Sequence, residues 1–204
     1  MPYEPPMQPF ERFFTELDAR WVATGPAPIT LRVLGSTALF LRTNYQRGTK
    51  DSDVIETAQI TPEIRAQARA LGGKGSPLHL RHGVYVDFLP SAFPFLPEEP
   101  LWHPVASPTL THFCIEALDV VDVAVAKLAR FHKFDQIDIA AMAERELIDP
   151  CRFTARFRSA VQRLWHDARA DTLPRIVRHF HQVQRDELFI PESSIDLPPW
   201  VSDD

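Results

Sequence analysis

Residues 29–57, ITLRVLGSTALFLRTNYQRGTKDSDVIET, decide how this chain is read. Ile29–Leu34 is a short, largely apolar run that predicts a buried strand. Gly35-Ser36 turns it into a short helix through Ala38, Leu39 and Leu41. Asp53–Thr57 predicts a second strand. Asp51 and Asp53 flank Ser52 at its start, so the two-residue period of a strand sends both carboxylates to one face.

Working outward, Phe10, Phe13, Phe14, Leu17 and Trp21 recur at helical spacing over 10–23, and Gly25-Pro26 closes that helix. Beyond the second strand a proline-started helix is predicted over 62–71, followed by the turn Gly72-Gly73-Lys74-Gly75. Gly72–Gly75 resembles a phosphate-binding loop only loosely, and with no helix expected after it the segment reads as a flexible hairpin entry. Residues 78–81 and 83–89 then read as a hairpin around His82-Gly83, its second strand VYVDFL interrupted by Asp87. Six prolines (Pro90, Pro94, Pro97, Pro100, Pro104, Pro108) exclude helix or central strand from 90–111. That stretch predicts a long connection dividing the chain into an α/β part, 1–111, and a helical part, 112–204. Helices are expected near 119–131, 135–146, 150–168 and 173–186, and the acidic, proline-spaced tail from Pro191 reads as peripheral.

The 204 residues are 45% apolar and 24% charged, which excludes wholesale disorder. Cys114 and Cys151 have neither disulfide nor metal-ligand spacing, pointing to a reducing compartment. No apolar run is long enough for a membrane span, and the start, MPYEPPMQPFERFF, lacks a secretory pattern. A cytoplasmic chain without membrane contact is expected. Net charge is −5, so no global basic field draws nucleic acid. Residues 150–186 nevertheless carry eight arginines against three acids, a local +5. Arg152, Arg156 and Arg163 share one face of a helix there, opposite Phe153, Phe157, Val161 and Leu164. That basic face reads as solvated, or as a surface for an RNA backbone or an acidic partner. The histidines show no metal-ligand spacing.

Asp51, Asp53 and Asp87 are the residues that carry chemistry. Three acids converging at strand ends repel one another unless a divalent cation neutralises them, and Mg²⁺ suits hard oxygen ligands and substrate phosphates. Taken alone, the pair also fits a turn cap and a solvent-facing edge. Gly35 lets backbone approach a triphosphate, while Ser36 and the helix N-terminus supply donors. The ordered combination is more specific than its parts: strand, Gly-Ser, helix, Asp-x-Asp, then a strand with a lone Asp.

In that order, VLGSTALFLRTNYQRGTKDSDVIE (33–56) with VYVDFL (84–89) resembles the nucleotidyltransferase-fold superfamily. A second block, ALDVVDVAVAKLARFHKFDQIDIAAM (117–142), resembles the AbiEii-like and related uncharacterised nucleotidyltransferase-like families, many of them toxins of toxin–antitoxin or phage-defence pairs. The resemblance implies an α+β fold, a mixed β-sheet with flanking helices and a C-terminal helical region. It implies Gly35 and Ser36 on nucleotide phosphates, Asp51 and Asp53 on one or two Mg²⁺ ions, and Asp87 as the third metal-binding acid, activating an acceptor hydroxyl. Lys127 matches the family's helical lysine, expected on the triphosphate, and Asp138 the acid of the next helix. Ser52 departs from the pattern, standing where the family carries an apolar residue. Arg42 and Arg47 lie between the motifs and read either as phosphate contacts or as solvated side chains.

Lys127 also sits among Val121, Ala124, Val125 and Leu128, an apolar setting in which an ammonium needs a carboxylate or phosphate partner or must snorkel outward. Asp135 fits a helix cap and Asp138 a first-turn acid. The expected activity is Mg²⁺-dependent transfer of a nucleoside monophosphate from a nucleoside triphosphate to a hydroxyl of tRNA, protein or a small molecule, with an antitoxin as a further partner. The alternatives are a catalytically inactive binding or regulatory protein of the same fold, for which Ser52 argues, and an RNA-binding module using the arginine helices.

Overall fold

The structure is a computed structural model that describes residues 9–23, 28–43, 45, 51–106 and 109–201. It divides into two units, Met1–Phe93 with Trp102–Ala117, and Pro94–Leu101 with Leu118–Asp204. The division therefore follows Ala117 rather than residue 111, and Pro94–Leu101 of the proline-rich connection belongs to the second unit.

The first unit carries a five-stranded mixed sheet. Its elements are α1 (Pro9–Ala19), β1 (Ile29–Val33), α2 (Gly35–Thr43), β2 (Asp51–Ile55), α3 (Pro62–Gly72), α4 (Pro77–His82), β3 (Tyr85–Leu89), β4 (Trp102–Pro104) and β5 (Phe113–Leu118). The strand order is β3-β2-β1-β5-β4. β1 runs antiparallel to β2 and parallel to β5, while β2 runs parallel to β3.

Alternation gives this sheet two unlike faces. Ile29, Leu31, Val33, Val54, Val86, Phe88, Phe113 and Ile115 lie on one face, all buried with Phe10, Phe13, Phe14 and Leu17 of α1. Each such side chain, fully buried, contributes roughly 1.5–3 kcal/mol. The other face carries Arg32, Asp51, Asp53, Tyr85, Asp87 and Glu116, each at least partly exposed. Asp18 anchors the sheet's far side, its carboxylate accepting from Thr111 N and His112 N at 2.9 and 2.7 Å just before β5.

Two expectations are corrected here. Residues 78–81 are helix, not strand, so no hairpin forms around His82-Gly83, and β3 pairs with β2 in parallel instead. The leucines at 78 and 80 mimic strand alternation, but Ser76 caps the helix by accepting from His79 N, Pro77 starts it and left-handed Gly83 ends it. A helix thus does follow Gly72–Gly75. Secondly, β5 lies where no strand is expected; β4, within the proline-rich stretch, is an edge strand, which the exclusion of helix and central strand allows and where Pro104 is tolerated.

The second unit is helical: α5 (Val120–Leu128), α6 (Lys133–Glu144), α7 (Pro150–Arg163), a 3-10 turn (Ala168–Thr172) and α8 (Leu173–Asp186). Asp119 caps α5, and Asp149 followed by Pro150 starts α7. Phe153, Phe157 and Phe180 are fully buried, the rings of Phe157 and Phe180 stacked at 4.0 Å between centroids. No helix among the described residues is long and apolar enough to cross a membrane.

Candidate functional site

The strand β1 delivers the chain into a turn that only glycine adopts without strain. Gly35 has φ +66°, in the left-handed region, and opens α2. The start of β2 is fastened to this turn at two points. Leu34 N donates to Asp53 O at 3.0 Å, and Thr37 Oγ1 donates to Asp51 O at 2.8 Å. The backbone of the Asp-Ser-Asp segment is therefore fixed against the Gly-Ser turn, and a Cβ built on Gly35 would lie 3.2 Å from Asp53 Oδ2.

Register brings in the third acid. Asp53 is the direct neighbour of Asp87, and Asp51 of Tyr85, on the parallel strands β2 and β3. In-register neighbours share a face, with backbones about 4.8 Å apart. All three carboxylates thus point to the same side of the sheet, beside the Gly35 turn. The Tyr85 phenol senses them together: burial raises its pKa, and Asp51, Asp87 and Asp53 each push it further up. Asp51 and Asp87 are exposed, Asp53 half-buried.

Between the acids, Ser52 points the other way. It is 0% exposed on the apolar face, and its hydroxyl has no hydrogen-bond partner among the described residues. The position is fully buried, so β2 keeps an inward-facing residue between its two acids.

Among the described residues, no group of three or more His, Cys, Asp and Glu is arranged to hold a metal ion. Mg²⁺ does not require such a group, since it is usually held by one or two carboxylates, with waters and substrate phosphates completing its octahedron. Paired acids of hard-oxygen chemistry beside a helix N-terminus fit that requirement. Ser36 is the second residue of α2, partly buried, and Arg42 is exposed in its last turn. Arg47 lies outside the described residues.

Lys127 and Asp138 belong to the second unit, where they form a buried ion network. The Lys127 ammonium lies 3.0 Å from Asp135 Oδ1 and 2.7 Å from Asp138 Oδ2. Arg130 adds two hydrogen bonds to Asp135, both 2.8 Å. Lys127 is 7% exposed and Asp138 0%, so the ammonium has carboxylate partners and does not snorkel. Burial raises the pKa of Asp135, but the Arg130 hydrogen bond and the Lys127 charge outweigh it and bring the group to about 2. Asp135 stands three residues inside α6 and receives His132 N at 3.1 Å, so the cap residue itself is His132.

Of the arginine stripe, Arg156 turns inward, while Arg152 stays exposed. Arg156 makes a two-point contact with fully buried Asp122, both distances 2.6 Å, and also donates to Glu99 O at 2.7 Å. Arg152 pairs with Asp119 at 2.8 Å. Their partners sit on or just before α5, more than thirty residues upstream, and composition alone does not reveal such pairings. Sequence reasoning also missed Tyr85, Arg32 and Glu116 on the open sheet face, although alternation within VYVDFL and ITLRV signals their direction. Comparison with family models, with curated proteins and with solved structures finds no match for this chain.

Proposed function

We propose that the chain is a Mg²⁺-dependent nucleotidyltransferase that moves a nucleoside monophosphate from a nucleoside triphosphate to an acceptor hydroxyl. The observation that carries this reading is the register of Asp53 with Asp87 on one sheet face, beside the left-handed turn at Gly35. Bare glycine backbone and the first turn of α2 offer a triphosphate both close approach and N–H donors. Asp51 and Asp53 are the pair to hold the cation. Bound there, Mg²⁺ supplies charge neutralisation of the phosphates and of the departing pyrophosphate. Asp87, on the next strand, is positioned to accept the proton of the attacking hydroxyl. Fixing these groups on strands instead of loops keeps the geometry ready before substrate arrives.

The test is pyrophosphate release from each of the four nucleoside triphosphates, with RNA, protein and small-molecule hydroxyls supplied as acceptors. Release by the wild type, lost in both Asp53→Ala and Asp87→Ala, supports transfer. Nucleotide binding without release by any of them assigns the fold to a catalytically inactive binding protein, and release unaffected by Asp53→Ala sinks the proposal.

A further inference from the structure

Across the same open face, Arg32 of β1 stands in register with Glu116 of β5. Its Nε donates to Glu116 Oε2 at 2.9 Å, and its guanidinium carbon lies 5.4 Å from the centre of the Trp102 ring. On the other side its partner in β2 is Ile55, two residues beyond Asp53, an along-strand offset of about 7 Å. Arg32 is the one Lys or Arg in any strand among the described residues.

Exposed ion pairs stabilise little, so sheet stability alone is a weak reason to hold an arginine this way. The side chain is 41% exposed, and Nε is the nitrogen engaged by a hydrogen bond among the described residues. Glu116 and the Trp102 ring thus restrain the guanidinium, while its terminal nitrogens keep their donors. A restrained guanidinium offering two parallel N–H groups is the standard two-point receptor for phosphate. Along the sheet, the Gly35-Ser36 turn and Arg32 lie on opposite sides of Asp53, since Leu34 faces Asp53 and Arg32 faces Ile55.

We propose that Arg32 is a phosphate-binding residue of this face, positioned by Glu116 and Trp102, for a phosphate on the side of the carboxylates away from the Gly35 turn. The ligand class, a nucleotide or an oligonucleotide, rests on the transferase reading; the phosphate preference rests on the guanidinium itself.

Calorimetric affinities of the full chain with Mg²⁺ test it, using the four nucleoside triphosphates and a mixed-sequence single-stranded oligoribonucleotide as probes. Arg32→Ala is expected to weaken at least one probe about tenfold or more, as loss of a charge-assisted contact does. Arg32→Lys restores binding only in part, because an ammonium lacks the fork. Loss confined to the triphosphates identifies a donor phosphate, and loss confined to the oligonucleotide an acceptor phosphate. Should Arg32→Ala fail to fold, Arg32→Lys and Trp102→Leu carry the comparison. Wild type that binds none of the probes, or arginine variants that bind all of them as wild type does, overturns the proposal. Pyrophosphate release by wild type and Asp53→Ala is measured in parallel. Arg32-dependent binding without release leaves the phosphate site standing and removes the transferase reading.

Discussion

Gly35 and the carboxylate of Asp53 are packed so closely that a single added carbon would lie 3.2 Å from Oδ2. The glycine also holds φ +66°, which a side chain disfavours by roughly 1–2 kcal/mol. Gly35→Ala is therefore expected to lower the unfolding free energy by about that amount, measured by urea denaturation. It should also displace Asp53, so on the proposed transferase reading pyrophosphate release falls by far more than the loss of folded protein explains. Unchanged release from folded Gly35→Ala would show that Asp53 works without this close approach.

Ser52 yields the opposite sign. Its buried hydroxyl has no partner among the described residues, and a polar group left in that state costs roughly 1–3 kcal/mol. Ser52→Ala should raise stability by about 1 kcal/mol, a gain of roughly 2–4 °C in Tm for a chain of this size. A drop in Tm would reveal a hydrogen bond made by that hydroxyl.

Lys127 is the shared counter-ion of two buried acids. Lys127→Met leaves Asp138 buried without that charge and should cost about 3–5 kcal/mol, as breaking a buried pair generally does. Adding Asp138→Asn should return a substantial part of the loss, and the double-mutant cycle in urea reads the coupling. Simple additivity of the two changes would mean that the contact does not stabilise the fold.

Asp135 makes stability depend on acid. Its carboxyl is brought down from 3.8 to about 2 in the folded chain. The resulting stabilisation is fully present above the unfolded pKa and is lost as pH falls through the folded one. Between pH 5 and pH 2 this one group should remove about 2 kcal/mol of unfolding free energy. Asp135→Asn should be less stable at pH 7 and show a shallower acid slope, measured by denaturation across that range.

Helical periodicity made α1, α7 and α8 legible, because each buries a stripe that includes Phe, Leu, Ile or Val. The Asp-x-Asp face was legible for the same kind of reason, since a strand has only two sides. Pairing direction was not. Whether VYVDFL joins β2 in parallel or folds back on 78–81 turns on six residues, PLHLRH, whose leucines suit either structure. Ser76, Pro77 and Gly83 carried the deciding signal at its ends. β5 was hidden because FCIEAL leads directly into a helix, and its place in the sheet depends on β1, about eighty residues earlier. The ion pairs of Arg152 and Arg156 were hidden for a related reason: a charge is read as solvated until its partner is found, and Asp119 and Asp122 lie on or just before another helix.

After the edge strand β4 the chain inserts β5 next to the middle strand. Cutting the protein at residue 111 would strip β1 of one whole row of backbone partners, leaving a bare, apolar strand margin on the N-terminal fragment. Such a margin recruits other copies edge to edge. Halves of this protein expressed separately should therefore precipitate, and the first soluble N-terminal piece would have to run through at least Ala117.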